Sequence, residues 1–182
     1  MVGIVFKKFL VFLFLDIFFI DMRTYRGDNT ANREEGGAPF LGAEQIAWLK
    51  GALATSRATW KVIAADMPIG MMVRDGEAAM ENGANGDGPP LGREQDIADV
   101  LSFIRAGRIA NVVWLTADVH YTAAHHYSPE RATFQDFEPF WEFVSGPLHA
   151  GTFGPGELDG TFGPGARFVK APEPGQANLP PS

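Results

Sequence analysis

The chain of 182 residues contains no cysteine. This excludes a disulfide framework, a thiolate nucleophile and a thiolate metal ligand, and leaves the redox compartment undecided. Basic residues are also scarce: 15 Lys and Arg stand against 22 Asp and Glu, giving a formal charge of −7. They form no stripe able to track a phosphate backbone, so no nucleic-acid partner is expected. Nor is there a membrane-length apolar run. Residues 1–20 begin like a secretory signal, with Lys7 and Lys8 ahead of an apolar stretch to Leu15, but no small-residue cleavage site follows. Asp16 interrupts the run before the roughly 18–20 apolar residues that spanning needs. Two β-segments, at 9–15 and 16–21, are expected instead, the second in the core. Internal repeats are absent too, since the Thr-Phe-Gly-Pro at 152–155 and again at 161–164 is the echo of one turn.

What remains is enough for one domain with a real core. Its organising stretch is Asn111-Val-Val-Trp-Leu-Thr-Ala-Asp-Val-His-Tyr121. Asn111 to Leu115 is short, apolar and β-branched, the pattern of a strand buried on both faces. Polarity then changes abruptly. Asp118 and His120 fall where such a strand reaches the carboxyl edge of an α/β sheet, where ligands bind in open sheets. A hard carboxylate oxygen beside an imidazole suits Zn, Fe or Mn. The alternative is that Asp118 caps a turn and His120 is an ordinary, partly buried histidine.

Upstream, residues 42–56 carry Ile46, Leu49 and Leu53 at helical spacing beside Trp48. Trp60 to Ala65 reads as a second buried strand and ends at Asp66-Met-Pro-Ile-Gly70, so a second carboxylate arrives at a strand terminus, where turn formation is the alternative role. Residues 71–92 form a long connection rich in Asn-Gly and Pro-Pro, and loops of that length are usually functional or disordered. Arg93 to Ala106 is a second helix, with Ile97, Val100, Leu101 and Ile104 on one face and Glu94, Asp96 and Asp99 on the other. Gly107 is placed to end it in the left-handed conformation. Strand, helix, strand, helix, strand implies right-handed crossovers and a mainly parallel sheet. Residues 121–127 and 140–145 then read as short antiparallel strands. His125 and His126 are adjacent, so they point to opposite faces and at most one is functional. Arg23 and Arg26, three apart beyond an early strand, are suited to clamp a phosphoryl oxygen, or else pair with Asp21, Asp28 or Glu34 on the surface.

Several motifs occur in series: Asp21-Met-Arg-Thr-Tyr-Arg26, Leu41-Gly-x-x-Gln45-x-x-Trp48-Leu49, Trp60-Lys-Val-Ile-Ala, Asp66-Met-Pro-Ile-Gly70, Thr116-Ala-Asp-Val-His-Tyr121, and the run from Phe140 through Ser145-Gly-Pro-Leu-His-Ala-Gly151. From about residue 16 to 168 the chain resembles the alkaline phosphatase D, or PhoD-like, family of the calcineurin-like metallophosphoesterases. The resemblance implies an α/β fold, here the C-terminal half of a four-layer αββα sandwich, over residues 1–170, with 171–182 a disordered proline-rich tail. It implies hydrolysis of phosphate esters at a two-metal site (Fe, Ca, Zn or Mn), with Asp118 and His120 as ligands and Asp66 at the position of a later histidine. Arg23 and Arg26 would stabilise the transferring group, and His149 would act as an acid or substrate contact. It also implies a periplasmic or extracellular setting.

The chain departs from the family pattern in one large respect. No Gly-Asp-x-x-Tyr and no Gly-Asn-His occurs among its residues. Two ions about 3.5–4 Å apart need more ligands than Asp118, His120 and Asp66. A missing N-terminal half of the same domain is therefore an expected partner, and the alternative is a non-catalytic fragment or interaction module.

Overall fold

The computed structural model of the protein describes residues 7–11 and 14–180. Its main element is a seven-stranded mixed sheet. In chain order the elements are strand β1 (Lys7–Val11), strand β2 (Leu15–Phe19), helix α1 (Ala43–Thr55), strand β3 (Trp60–Ala64), a two-residue pair β4 (Arg74–Asp75) and β5 (Ala79–Met80), helix α2 (Glu94–Ala106), strand β6 (Val112–Thr116), strand β7 (Thr122–Tyr127), strand β8 (Phe140–Val144) and strand β9 (Pro164–Lys170). Across the sheet the order is β1-β2-β3-β6-β8-β7-β9. β2, β3, β6 and β8 run parallel. β1 is antiparallel to β2, and β7 is antiparallel to both of its neighbours. The parallel half follows from the two helical crossovers, which place α1 and α2 side by side on one face.

On the helical face, Phe18, Ile63 and Trp114 stand in one row of the register and are fully buried. They pack with Leu49 and Leu53 of α1 and with Val100, Leu101 and Ile104 of α2, the residues whose helical spacing the sequence displays. Each such burial is worth about 1.5–3 kcal/mol. The opposite face is different. Leu115, immediately after the fully buried Trp114, is 43% exposed, and Phe19, Trp60, Trp141, Phe143 and Phe168 are exposed as well. The expectation of a strand buried on both faces is thus corrected for β6, because no helix or second sheet among the described residues covers this side.

Other expectations shift locally. The first β-segment is Lys7–Val11 rather than 9–15, and Leu15 already belongs to β2, paired with Trp60. Residues 1–6, where part of the signal-like run lies, fall outside the described residues, and no described helix is long and apolar enough to cross a membrane. Glu94, assigned to the polar face of α2, is buried. Gly107 keeps right-handed backbone with φ of −77°, and Arg108 takes the left-handed turn at φ of 49°. β8 lies between β6 and β7, so the last strands are no simple meander, and β9 adds a strand that the Gly- and Pro-rich flanks hide. Beyond β9, the stretch read as a disordered tail runs back along the loop after β8, where Thr152 N donates to Leu179 O (3.0 Å) and Thr152 O accepts from Asn178 N (2.7 Å).

Candidate functional site

The site lies at the carboxyl edge of the parallel strands, where three chain segments leave β2, β3 and β6. After β2, the Asp21 carboxylate accepts the N–H groups of Arg23 (2.8 Å) and Thr24 (2.7 Å) through one oxygen, closing a tight turn. Despite partial burial, these bonds hold the Asp21 carboxyl below the usual carboxylate range. The buried Gln45 of α1 fixes the same turn from behind: its side chain accepts from Asp21 N (2.9 Å) and donates to Asp21 O (2.9 Å) and Leu41 O (2.8 Å). That arrangement accounts for the glutamine in the Leu41-Gly-x-x-Gln45 motif, and it aims Arg23 across the sheet edge.

There the Arg23 guanidinium meets three carboxylates. Nη2 lies 2.8 Å from Asp118 Oδ1, Nη1 2.9 Å from Glu81 Oε1, and Nε 3.6 Å from Asp66 Oδ2. Burial works against the charge of Arg23, yet Asp118 and Glu81 raise its pKa. Asp66 is anchored by Met22 N (2.8 Å), but burial outweighs that bond and pushes its carboxyl up. The structure therefore gathers Arg23, Asp66 and Asp118, as the sequence suggests, and gives Arg23 none of the surface partners Asp21, Asp28 or Glu34 as an ion pair.

Glu81, in the middle of the long 71–92 connection and directly after β5, is a residue that sequence reasoning misses. One of its oxygens also faces Arg26 Nη2 (3.4 Å), and its backbone carbonyl accepts from Arg26 and from Arg93 (3.0 Å). Arg26 is consequently a pin for the loop, with a side chain only 15% exposed, and of the two arginines it is Arg23 that meets Asp66, Glu81 and Asp118 together. Arg93, itself buried, ties the same loop to Gly27 O (2.7 Å) and Asp28 O (2.8 Å). The only available signal was the length of the connection.

After β6 the backbone turns sharply, and both candidate ligands carry positive φ: 76° at Asp118 and 52° at His120. A non-glycine residue held there costs of order 1–3 kcal/mol, and such strain gathers at functional sites. Asp118 turns to Arg23. His120 turns elsewhere, with Nδ1 2.7 Å from Gly151 O and its ring 4.5 Å from that of Phe153. A carbonyl only accepts, so Nδ1 carries the hydrogen and neutral His120 keeps its lone pair on Nε2, the tautomer of a metal-ligating imidazole. Asp118 and His120 thus share a turn without sharing a partner. His149 is exposed on the loop after β8, and among the described residues it makes no hydrogen bond or ion pair to the cluster, so its expected place at the site is not borne out.

Beneath the edge lies a second node that sequence does not flag. Glu142 of β8, fully buried, accepts from Ile69 N (2.8 Å), Thr116 Oγ1 (3.1 Å), His125 Nδ1 (3.1 Å) and Tyr127 OH (2.7 Å). Burial and the neighbouring Glu142 push the Tyr127 phenol well up, which keeps it a donor. The node joins the loop carrying Asp66 to the end of the strand carrying Asp118, and so sets the spacing of the carboxylates on Arg23. His125 is spent in this node while His126 packs edge-to-face with Trp141 on the other face.

As a metal centre this donor set is partial. Hard oxygens and one imidazole nitrogen suit the expected ions, but no three His, Asp or Glu side chains among the described residues converge on one ion-sized point.

The sheet order, the crossovers and the polar carboxyl edge define an α/β protein with its ligand edge at the strand ends. The PhoD-like phosphatase family model matches residues 4–181, and the chain belongs to that family. Alkaline phosphatase D of Bacillus subtilis (strain 168) is 31% identical over 146 residues, which cover 72% of this chain and 24% of that protein. A solved structure titled "Structure of PhoD" superposes with a TM-score of 0.53 at 22% identity, over 78% of this chain and 28% of that one, and supports the fold. The chain spans about a quarter of the length of these relatives.

Proposed function

We propose that the chain contributes the carboxyl-edge half of the active site of a metal-dependent phosphoric ester hydrolase, the activity named for its family. The observation that carries this reading is the turn after β6. It holds Asp118 and His120 in strained backbone, with the His120 Nε2 lone pair left available and the Arg23 fork in front of Asp118. Asp118, His120 and Asp66 are proposed as this chain's share of the ligands for divalent or trivalent ions. Such ions, when bound, supply Lewis-acid polarisation of a phosphoryl oxygen and lower the pKa of water toward ~7. Arg23 neutralises charge developing on the equatorial oxygens. Glu81 holds Arg23 at the edge until substrate competes for its fork, and the Glu142 node keeps the two ligand-bearing loops in register.

The uncovered sheet face supports the same reading. Its row of large apolar side chains suits a second sheet packed about 10 Å away, which would turn the two observed layers into the four-layer sandwich and bring the remaining ligands. The proposed occupant is further polypeptide of the same domain. The test is to graft this chain into the Bacillus relative in place of its matched span. The graft is expected to hydrolyse a chromogenic phosphate ester in the presence of metal and to lose turnover by at least about 100-fold with His120→Ala or Asp118→Ala. A folded graft whose turnover survives both changes removes these residues from the site.

A further inference from the structure

A pocket of about 270 Å³ opens beside the cluster. Asp118, Glu81 and Arg74 line it together with Met71, Val73, Val119, Tyr121 and Phe153. The two carboxylates pair with Arg23, Arg74 lies 3.2 Å from Glu157, and the rest of these lining residues are apolar or aromatic. Two backbone positions shape it. A Cβ on Gly154 would lie 2.5 Å from the Tyr121 ring, and one on Gly156 would lie 2.7 Å from Met71 Sδ, so only glycine lets this loop close over those side chains. Tyr121 is buried and its hydroxyl accepts from Gly156 N at 3.1 Å, which fixes the wall. The bigger cavity of about 470 Å³ lies at the other end of the sheet, against Trp114 and Phe140, away from the cluster.

From this geometry we infer that the pocket is the subsite for the organic part of the ester and that it takes a compact apolar or aromatic alcohol, one ring with a small substituent. The inference rests on the phosphate-ester reading of the same edge and adds what is esterified. A closed apolar cavity of about 150 Å³ already holds benzene, so this open pocket of about 270 Å³ has room for a single substituted ring. Phe153, half exposed and tilted against His120, supplies an aromatic contact for such a ring. The walls formed by Met71, Val73, Val119, Tyr121 and Phe153 favour an apolar ring over a strongly hydrated polyol.

The test titrates the 182-residue chain with phenylphosphonate and methylphosphonate, two stable anions that differ only in the organic group. Phenylphosphonate is expected to bind about tenfold more tightly, a difference of about 1.4 kcal/mol. Val73→Phe, which fills the pocket from its wall, is expected to abolish that preference by weakening phenylphosphonate. Phe153→Ala, at a position too exposed to threaten folding, is expected to reduce the preference about threefold. Equal affinity for the two anions, binding of neither, or a preference that survives both substitutions overturns the assignment. The two readings fail separately. A graft that hydrolyses phenyl and methyl phosphate with the same kcat/KM sinks the pocket alone. A preference for phenylphosphonate in a chain whose graft hydrolyses nothing sinks the hydrolase reading alone.

Discussion

The two faces of the sheet are made of similar residues and meet opposite fates. Phe18, Ile63 and Trp114 on one side are sealed under α1 and α2, while Phe19, Leu115, Trp141 and Phe143 on the other remain exposed. Large exposed apolar rows of this kind mark interaction surfaces, and on the proposed reading a second sheet covers this one. The covered face owes its stability to this chain, whereas the open face and the proposed ligand set would, on that reading, be completed by further polypeptide.

The strongest way to break that contrast is truncation on each face. Phe18→Ala should destabilise by about 3–5 kcal/mol, through lost burial plus a cavity. Phe143→Ala should change stability by less than about 1 kcal/mol. Chemical denaturation of the two variants reads the difference, and equal losses would mean that the open face is covered in solution, most simply by a second copy.

The next effect is electrostatic and belongs to the covered side. Burial, and then the adjacent Asp159, push the Glu94 carboxyl up to about 9. The Asp159 carboxylate beside it accepts from the N–H groups of Asn85, Gly86 and Thr161. Between the ordinary glutamate pKa and about 9, the folded state holds a proton that the unfolded state has released. Stability therefore is greatest below that window and falls as pH rises through it. Glu94→Gln, which keeps the acceptor for Asn85 and adds a donor for Asp159, should flatten the profile and raise stability near pH 9 by on the order of 3 kcal/mol. Thermal melts from pH 5 to 9 check it.

The smallest effect is expected at the exposed edge. Arg23→Met removes the cation among three carboxylates. At 45% side-chain exposure its cost should stay near 1 kcal/mol and shrink with added salt. Melts at low and high ionic strength measure it. A loss of several kcal/mol, insensitive to salt, would make Arg23 a structural residue in place of a site residue.

What the sequence made legible follows from period and position. The apolar spacing of Leu49, Leu53, Ile97, Val100, Leu101 and Ile104 located both helices and their buried faces, and the crossover rule then gave the parallel half of the sheet. Asp66, Asp118 and Arg23 were legible because each follows the end of a strand. Glu81 and Glu142 were not. Glu81 sits in an aperiodic loop whose course depends on the buried Arg93, and Glu142 occupies an inward position of β8 where the pattern predicts an apolar residue. Its acceptor role depends on Ile69, Thr116, His125 and Tyr127, which only the folded chain brings together. The one-sided exposure of β6 was hidden for a related reason: an apolar strand reads the same whether its second cover is present or absent.

If Asp118, His120 and Asp66 are only a share of a two-metal ligand set, as proposed, this chain alone should not hold two ions. Metal content after equilibration with Mn²⁺, Zn²⁺, Ca²⁺ or Fe³⁺ and passage through a desalting column tests it most directly. The expected result is weak, substoichiometric binding that disappears with Asp118→Ala and His120→Ala. Tight retention of two ions per chain would contradict it.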